Sequence, residues 1–187
     1  MDLQSNPRIG FGPRLGVSFL DVILGGLFAG GFGVFLAFLG LGAGGVLGLA
    51  IDEQAELESS LEAIGIGAGI GALMGLLGGV VIGYFIYSII EAFTGASPGK
   101  MMLGYKAANA DGTRGDTTLY LKRWAIKNAS SVFSMLTLAT GLLFLNPLGS
   151  IIGFVMFLGC FLAIGDDRQA LHDKIAKTAI YHKKDII

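Results

Sequence analysis

The stretch that decides the fold is AIGIGAGIGALMGLLGGVVIGYFIYSII, residues 63–90, which contains 28 residues and no charged side chain. About 20 apolar residues are enough for a helix to cross the hydrocarbon core of a bilayer, so this run predicts a transmembrane span over residues 63–90. Five of its glycines recur at every fourth position and therefore share one helix face. They are Gly67, Gly71, Gly75, Gly79 and Gly83.

This glycine stripe predicts close helix packing. Helices in lipid gain no hydrophobic energy by meeting, so close backbone approach and van der Waals contact drive their association. An earlier apolar run carries glycines at the same spacing, Gly26/Gly30 and Gly40/Gly44/Gly48. Two interpretations remain open. The stripes pair two spans within one chain, or they form a surface for a homo-oligomer, for a membrane partner or for helix sliding.

The earlier run covers residues 16–51, 36 residues with a single charge at Asp21. It predicts a first span over residues 16–50. At about 1.5 Å per residue the run exceeds a hydrocarbon core of about 30 Å, so the helix should be tilted, protruding or broken. The glycines that mark the expected break or bend are Gly40, Gly42, Gly44 and Gly45.

A third apolar stretch, residues 129–165, is interrupted by LNPLGS at residues 145–150. Asn-Pro followed by glycine is typical of a turn. Two spans of about 18 residues fit on either side, over residues 128–145 and 148–165. A single kinked helix is the alternative, because proline is tolerated in membrane helices.

The basic residues favour four spans. Of the 13 Lys and Arg residues, two precede the first run, six lie in the loop 91–127, and five lie in the C-terminal segment 166–187. The connection over residues 52–62 has five acids and no base. Four spans place every base on one side, which the positive-inside rule makes cytoplasmic. We therefore expect a multi-pass protein of the bacterial inner membrane with both termini cytoplasmic.

Composition agrees with a single membrane domain over residues 1–187. Apolar residues make up 53% and charged residues 14% of the chain, against about 25% charged in a typical soluble domain. The lipid bilayer is thus the first expected partner. The formal net charge of −1 gives no indication of a nucleic-acid partner. Cys160 is the only cysteine, so an internal disulfide and a CxxC motif are both excluded.

The Gly-Lys pair in TGASPGKMMLG, residues 94–104, does not form a phosphate-binding loop. The P-loop pattern needs four residues between its glycines and a Ser or Thr after the lysine. Here three residues separate Gly95 from Gly99, Met101 follows Lys100, and Pro98 removes an N–H donor. We expect no nucleotide and no other cofactor.

Asp21 is the charged residue that most needs an explanation. An acid inside a membrane helix costs about 2.5–3.5 kcal/mol on insertion scales and suggests a functional site. Arg14 lies seven residues earlier, on the same helix face and about 10 Å away along the axis, so a third group or a water should lie between them. Either the pair orients and locks the helix, or Asp21 binds an ion or a proton.

The segments outside the spans predict a small folded element. RQALHDKIA, residues 168–176, suits a short amphipathic interfacial helix. TAIYH and the beginning of LGYKAANADGTRG read as two strands that pair on the cytoplasmic face. His172 and Asp173 are adjacent and lack further ligands, so no metal site is expected. The predicted fold class is an all-α membrane protein. It is a four-span, glycine-rich bundle with a small cytoplasmic two-stranded element and a short interfacial helix.

The order of four motifs resembles the RDD family of integral membrane proteins. RLGVSFLD (residues 14–21) is similar to the family's opening R-x-x-A-x-x-x-D, with Val17 in place of alanine. SPGKMMLGYKAANADG (97–112) and LKRW (121–124) resemble its middle elements. RQALHDKIAKTAIY (168–181) resembles its closing LHD-x-x-AGT segment, with Lys177 in place of glycine. The resemblance covers about residues 11–182.

The resemblance implies that Arg14, Asp21 and Asp173 are the three name-giving residues. It implies further that SPGK forms a juxtamembrane turn, which lets Lys100 meet interfacial lipid headgroups or a cluster of Asp166, Asp167 and Asp173. The residues expected to support the set are Lys100, Arg123, Asp166, Asp167 and His172.

Three functions follow as hypotheses. The first is transport of a monovalent cation or proton, with Asp21 as the titrating carboxylate; some members of the family are linked to cation–proton antiport. The second is a non-catalytic membrane scaffold or subunit that packs through its glycine-rich helices. The third is an enzyme with Asp166, Asp167, His172 and Asp173 as acid–base groups. We do not expect an enzyme, because no nucleophile–base or metal constellation is present.

Overall fold

The computed structural model describes residues 7–51 and 57–187, and the protein is mostly helical. It divides into two compact units. The glycine unit is Val22–Ser88, and the charged unit comprises the residues up to Asp21 together with Ile89–Ile187. Residues 52–56 of the predicted acidic connection, 52–62, lie outside the described residues.

Two long helices contain the first two predicted spans. Helix α1 is Phe11–Ile51 and α2 is Leu57–Thr94, with 41 and 38 residues. At about 1.5 Å per residue, each is longer than a hydrocarbon core of about 30 Å. Helix α1 runs without interruption through its glycine-rich segment, so of the expected alternatives a break at Gly40, Gly42, Gly44 and Gly45 does not occur. The reason is that a glycine within a helix costs only about 1 kcal/mol, which packing readily offsets.

Within the glycine unit, glycines of α1 lie directly against the backbone of α2. A Cβ atom built on Gly40 would overlap the carbonyl group of Gly71, and one on Gly44 would overlap that of Gly67. A Cβ on Gly75 would overlap the carbonyl group of Leu36. The two stripes therefore meet within one chain, at a separation that only glycine permits.

The third apolar stretch forms a helical hairpin. Helix α5 is Ala129–Thr140, and α6 is Leu145–Gly159, continued by a 3₁₀ turn at Cys160–Ile164. The chain reverses over residues 141–144, where Gly141 adopts a left-handed φ of 70°. The predicted turn at residues 145–150 is wrong in position. Pro147 lies in the first turn of α6, where a missing N–H costs no hydrogen bond.

Among the described residues, three helical segments are long and apolar enough to cross a membrane. They are Phe11–Gly48, Glu58–Thr94 and Leu145–Ile164. The predicted span over residues 128–145 is not one of them, because α5 has 12 residues and rises only about 18 Å. Helix α5 packs on α6 through Gly149, whose hydrogen atoms face Ser130 and Phe133.

The remaining elements are short and belong to the charged unit. Strands β1, Tyr105–Asn109, and β2, Thr178–His182, pair antiparallel with Ala107 opposite Ile180, so the predicted two-stranded element is confirmed. The Ile9 N–H donates to the carbonyl oxygen of Ile180 (2.8 Å), which ties the segment before α1 to β2. The other short elements are α3, Pro98–Met102; α4, Thr117–Lys127; α7, Leu171–Ala176; and a 3₁₀ turn at Lys183–Asp185.

Candidate functional site

Six charged side chains from five helices meet in the interior of the charged unit. They form what we call the ion network, and each helix contributes from a position close to one of its ends. A charge near the end of an apolar helix can reach a polar partner while the apolar body of the helix faces lipid. The members are Arg14 on α1, Glu91 on α2, Lys100 on α3, Arg123 and Lys127 on α4, and Asp173 on α7.

Asp173 is the anchor of one half of the network. It is fully buried and forms an ion pair with Arg14 and another with Arg123 Nε (2.8 Å). Its carboxylate also accepts from the backbone N–H of Ala170, at the start of α7 (3.3 Å). Burial alone would raise the pKa of Asp173, but the charges of Arg123 and Arg14 hold it well below its usual value. Asp173 is therefore an anion at any physiological pH.

Glu91 is the anchor of the other half. It is buried, and its carboxylate forms ion pairs with Lys100 and Arg123 through Oε1 and with Lys127 through Oε2 (2.6 Å). Three cations thus surround one acid. The last turn of α2, the α3 segment and α4 are all held by this one side chain.

Arg123 joins the two halves, because its guanidinium contacts both carboxylates. Burial lowers the pKa of Arg123, and the charges of Asp173 and Glu91 raise it by more, so the net shift is upward. The same guanidinium donates to His172 Nε2 (3.2 Å). Burial, with the nearby charge of Arg123, lowers the pKa of His172 to about 3. The imidazole is consequently neutral at pH 7, and its 3.4 Å approach to Asp173 is not an ion pair.

Lys100 is the member of the network whose charge changes near neutral pH. Burial lowers its pKa, the Glu91 carboxylate raises it, and the charges of Arg123 and Lys127 lower it again, so the pKa falls to about 7. A buried lysine with such a pKa can take up or release a proton under physiological conditions.

The SPGK loop holds Asp21 in place. Ser97 Oγ donates to Asp21 Oδ2 (2.5 Å), and the Gly99 N–H donates to Oδ1 (2.8 Å). A Cβ at position 99 would lie 2.7 Å from Asp21 Oδ1, so any residue other than glycine would displace the carboxylate. The loop therefore binds one acid through the Ser97 hydroxyl and the Gly99 N–H, and it brings the next residue, Lys100, to a second acid, Glu91.

A cavity of about 360 Å³ lies beside the network, wholly within the charged unit. One part of its wall is apolar and comes from the first turns of α1 and the end of α6, with Leu15, Phe157 and Phe161 among its members. The other part is polar and is formed by Arg14, Asp21, Lys100, Arg123, Lys127 and His172.

The structure brings most of the predicted site residues together, but not all. Arg14, Arg123, His172 and Asp173 meet directly. Lys100 joins them through Glu91, so the expectation that it would meet a cluster of Asp166, Asp167 and Asp173 is corrected. Asp166 and Asp167 are exposed, and Asp167 pairs with Lys174 on the surface (2.7 Å).

Two members of the network, Glu91 and Lys127, were not predicted. The signal for Glu91 was present in the sequence: it is the first charged residue after the uncharged run of residues 63–90. Lys127 follows Arg123 by one helical turn, which places both on the same face of α4. In the described ranges 7–51 and 57–187, no group of three or more His, Cys, Asp or Glu side chains is arranged to hold a metal ion.

Comparison with known proteins identifies a family for this chain but no individual relative. No curated protein sequence and no solved structure shows significant similarity to the chain. The model of the RDD family matches residues 8–177, a stretch that contains the whole ion network and the three helices long enough to span a bilayer. The chain therefore belongs to the RDD family and is a membrane protein.

Proposed function

We propose that the protein transports ions across the membrane in exchange for, or together with, protons. Asp21 is the ion-binding carboxylate in this proposal, and Lys100 is the proton-exchanging group. The observation that carries it is that both side chains line the same cavity. An acid within a candidate span is costly, and its contact with a cavity gives a transported proton or cation a place to bind.

The pKa of Lys100 supports the proton as the coupling species. A group whose pKa is about 7 is protonated and deprotonated with equal ease near neutral pH, as a proton carrier requires. A metal cation coordinated by protein side chains alone has less support than the proton. The described residues offer no cluster of three carboxylate or imidazole ligands. A monovalent cation would bind at Asp21 with water completing its shell.

A topology accompanies this proposal. Helices α5 and α6 form a membrane-inserted hairpin, so that α5 serves as a short fourth membrane segment and returns the chain to its starting side. All 13 basic residues then lie on the cytoplasmic side of a bacterial inner membrane, together with both termini. Single cysteines placed at Lys184 and Glu58 in a Cys160→Ser background should react with a membrane-impermeant reagent from opposite sides. Labelling of both from one side would overturn this topology.

The second candidate is a non-catalytic scaffold or subunit that binds itself or a membrane partner. It is favoured by a specific observation, the internal pairing of the network. Asp21 accepts two hydrogen bonds from the SPGK loop, and both network carboxylates contact at least two cations. For a set of charges satisfied in this way, a purely structural role is sufficient: the network holds five helices together. Neither candidate is an enzyme.

Flux in proteoliposomes distinguishes the two candidates. Purified wild type and Asp21→Asn are tested with gradients of Na⁺, K⁺ and Li⁺, with internal pH as the readout. Lys122→Gln, a change at an exposed position of α4, is the control for loss of charge. We expect cation-dependent proton flux in the wild type and in Lys122→Gln, and its loss in Asp21→Asn at an unchanged melting temperature. No flux above that of empty vesicles would overturn transport and favour the scaffold.

A further inference from the structure

The charges around the cavity do not balance. When Lys100 is protonated, four cationic side chains face three carboxylates, and the imidazole of His172 is neutral, so one positive charge remains in a largely buried site. A buried charge in excess is costly unless an ion of opposite sign accompanies it. The cations are Arg14, Lys100, Arg123 and Lys127, and the carboxylates are Asp21, Glu91 and Asp173.

The surface of the cavity is more positive than the network as a whole. All four cations line it, whereas Asp21 is the one carboxylate among its lining residues. Glu91 and Asp173 lie behind the cations that they pair with. A ligand in the cavity therefore lies beside four cationic side chains and one carboxylate, an environment that favours an anion.

The apolar part of the cavity wall is suited to hydrocarbon. Phe157 and Phe161 pack edge to face with ring centroids 5.8 Å apart, and Phe11 stacks on Phe161 at 5.6 Å. Leu15 and Phe157, which also line the cavity, are 58% and 62% exposed. The apolar wall thus continues onto an outer surface of α1 and α6, both of which contain candidate spans.

We propose that this cavity binds the phosphate group of an anionic phospholipid, with the acyl chains lying along the apolar wall. Basic pockets at the ends of membrane helices are suited to anionic lipid headgroups. A volume of about 360 Å³ is at the small end of the range of about 300–1,000 Å³ for ligand pockets. It fits a headgroup and the beginning of the chains, while the remainder of the lipid stays in the bilayer. The inference does not depend on transport, because it concerns retention of a ligand.

The test is native mass spectrometry of the full chain in detergent, titrated with phosphatidylglycerol, phosphatidylcholine or inorganic phosphate. We expect one phosphatidylglycerol per chain, bound about tenfold more tightly than phosphatidylcholine, which corresponds to about 1.4 kcal/mol. Inorganic phosphate at the same concentration should not displace it. Displacement by phosphate would identify a plain anion site and overturn the lipid. Equal retention of both lipids would overturn the preference for an anionic headgroup, because phosphatidylcholine carries the same phosphate group together with a cation.

Two variants locate the binding site. Lys127→Gln removes a cation from the cavity and leaves Glu91 with Lys100 and Arg123, so the fold should persist. It should weaken phosphatidylglycerol binding about tenfold, the effect of losing one charged hydrogen bond. Lys122→Gln on the same helix removes an equal charge at an exposed position outside the lining and should leave binding unchanged. Equal weakening by both variants would show attraction by overall charge and overturn the site.

Ser18→Leu tests the cavity without altering any charge. Ser18 lines the cavity, and among the described residues its hydroxyl donates to the α1 backbone alone, at Arg14 O (3.0 Å). A leucine there should fill part of the space and weaken phosphatidylglycerol binding at least as much as Lys127→Gln does, with the melting temperature preserved. Full binding by a folded Ser18→Leu variant would contradict the proposed location.

Discussion

The glycine unit and the charged unit hold their helices together by different forces. In the first, α1 and α2 meet backbone to backbone, and a single added methyl group at Gly40 or Gly44 would overlap the facing carbonyl group. In the second, short helices meet through buried ion pairs centred on Glu91 and Asp173. The glycine contact needs no polar surroundings, and any increase in side-chain volume disrupts it. The ion-pair contact is disrupted by a change in side-chain charge.

This difference shows what each unit is suited for. Backbone contact between uncharged helices needs no water and no proton, and it fixes a distance. An ion network responds to pH and to anions or cations that enter it. The response to ligands is accordingly expected in the charged unit. The glycine unit supplies two long helices whose contact does not change with pH.

The largest effect is expected from Asp173→Asn. This change removes the charge that Arg14 and Arg123 share, and losing one partner of a buried pair costs about 3–5 kcal/mol. Unfolding by denaturing detergent, followed by circular dichroism, measures the loss. Asp167→Asn is the matched control, because the pair of Asp167 with Lys174 is exposed and solvent-screened. If both changes destabilised the protein equally, the network would not be what holds the charged unit together.

The corresponding test of the glycine unit is Gly71→Ala. The new methyl group would overlap the carbonyl group of Gly40, and overpacking of this kind costs about 1–3 kcal/mol. Gly69→Ala is two residues away on the same helix, with nothing within 4 Å of its added Cβ. It should stabilise α2 slightly, since alanine favours a helix more than glycine. The same denaturing-detergent titration compares them, and equal stabilities would exclude a close α1–α2 contact at Gly71.

The sequence predicts the parts of this fold that depend on local pattern. The 28 uncharged residues of 63–90 indicate a membrane helix, and the β-branched and aromatic residues of TAIYH indicate β2. The prediction of a turn at Asn146 and Pro147 was misplaced, because the first turn of a helix accepts proline as readily as a loop does. Only the geometry of Gly141 reveals where the reversal lies.

The candidate site is harder to predict, because its members are distant in sequence. The resemblance to the family gave Arg14, Asp21 and Asp173, with Arg123 among the supporting residues, but not Glu91 or Lys127. Glu91 pairs with Arg123 across 32 positions, and Asp173 with Arg14 across 159. No periodicity connects residues so far apart. The one available signal for Glu91 was its position: it is an acid at the end of the uncharged run 63–90, at the start of a loop with six bases.

A smaller effect is expected from acid, through His172. Its pKa is about 3 in the folded protein against a usual 6.5, so below pH 6.5 the unfolded chain binds the proton and the folded chain does not. Stability should therefore fall as the pH falls, by roughly 1 kcal/mol between about pH 6 and about pH 5. Asp173 adds its own loss only below its usual pKa of 3.8, outside this window. The loss on protonation is confined to the charged unit, since the glycine unit has no histidine.

His172→Gln should flatten this pH dependence while its side-chain oxygen still accepts from Arg123. His182→Gln removes the other histidine of the chain and should leave the pH dependence as it is in the wild type. Melting temperatures in detergent at the two pH values measure both variants. A pH dependence that survives His172→Gln would assign the acid sensitivity to another group.

The smallest effect separates two substitutions of Asp21, the acid that the SPGK loop holds. Asp21→Ala removes the acceptor of the Ser97 hydroxyl and the Gly99 N–H, and should cost about 0.5–1 kcal/mol because the cavity lets water replace part of the loss. Asp21→Asn should cost less. Its amide oxygen still accepts from Gly99, and its NH₂ group can donate to Ser97 Oγ. Equal melting temperatures of the two variants would refute this role of the loop. A folded Asp21→Asn is also what the flux measurement needs, since it removes the charge of Asp21 and keeps its hydrogen bonds.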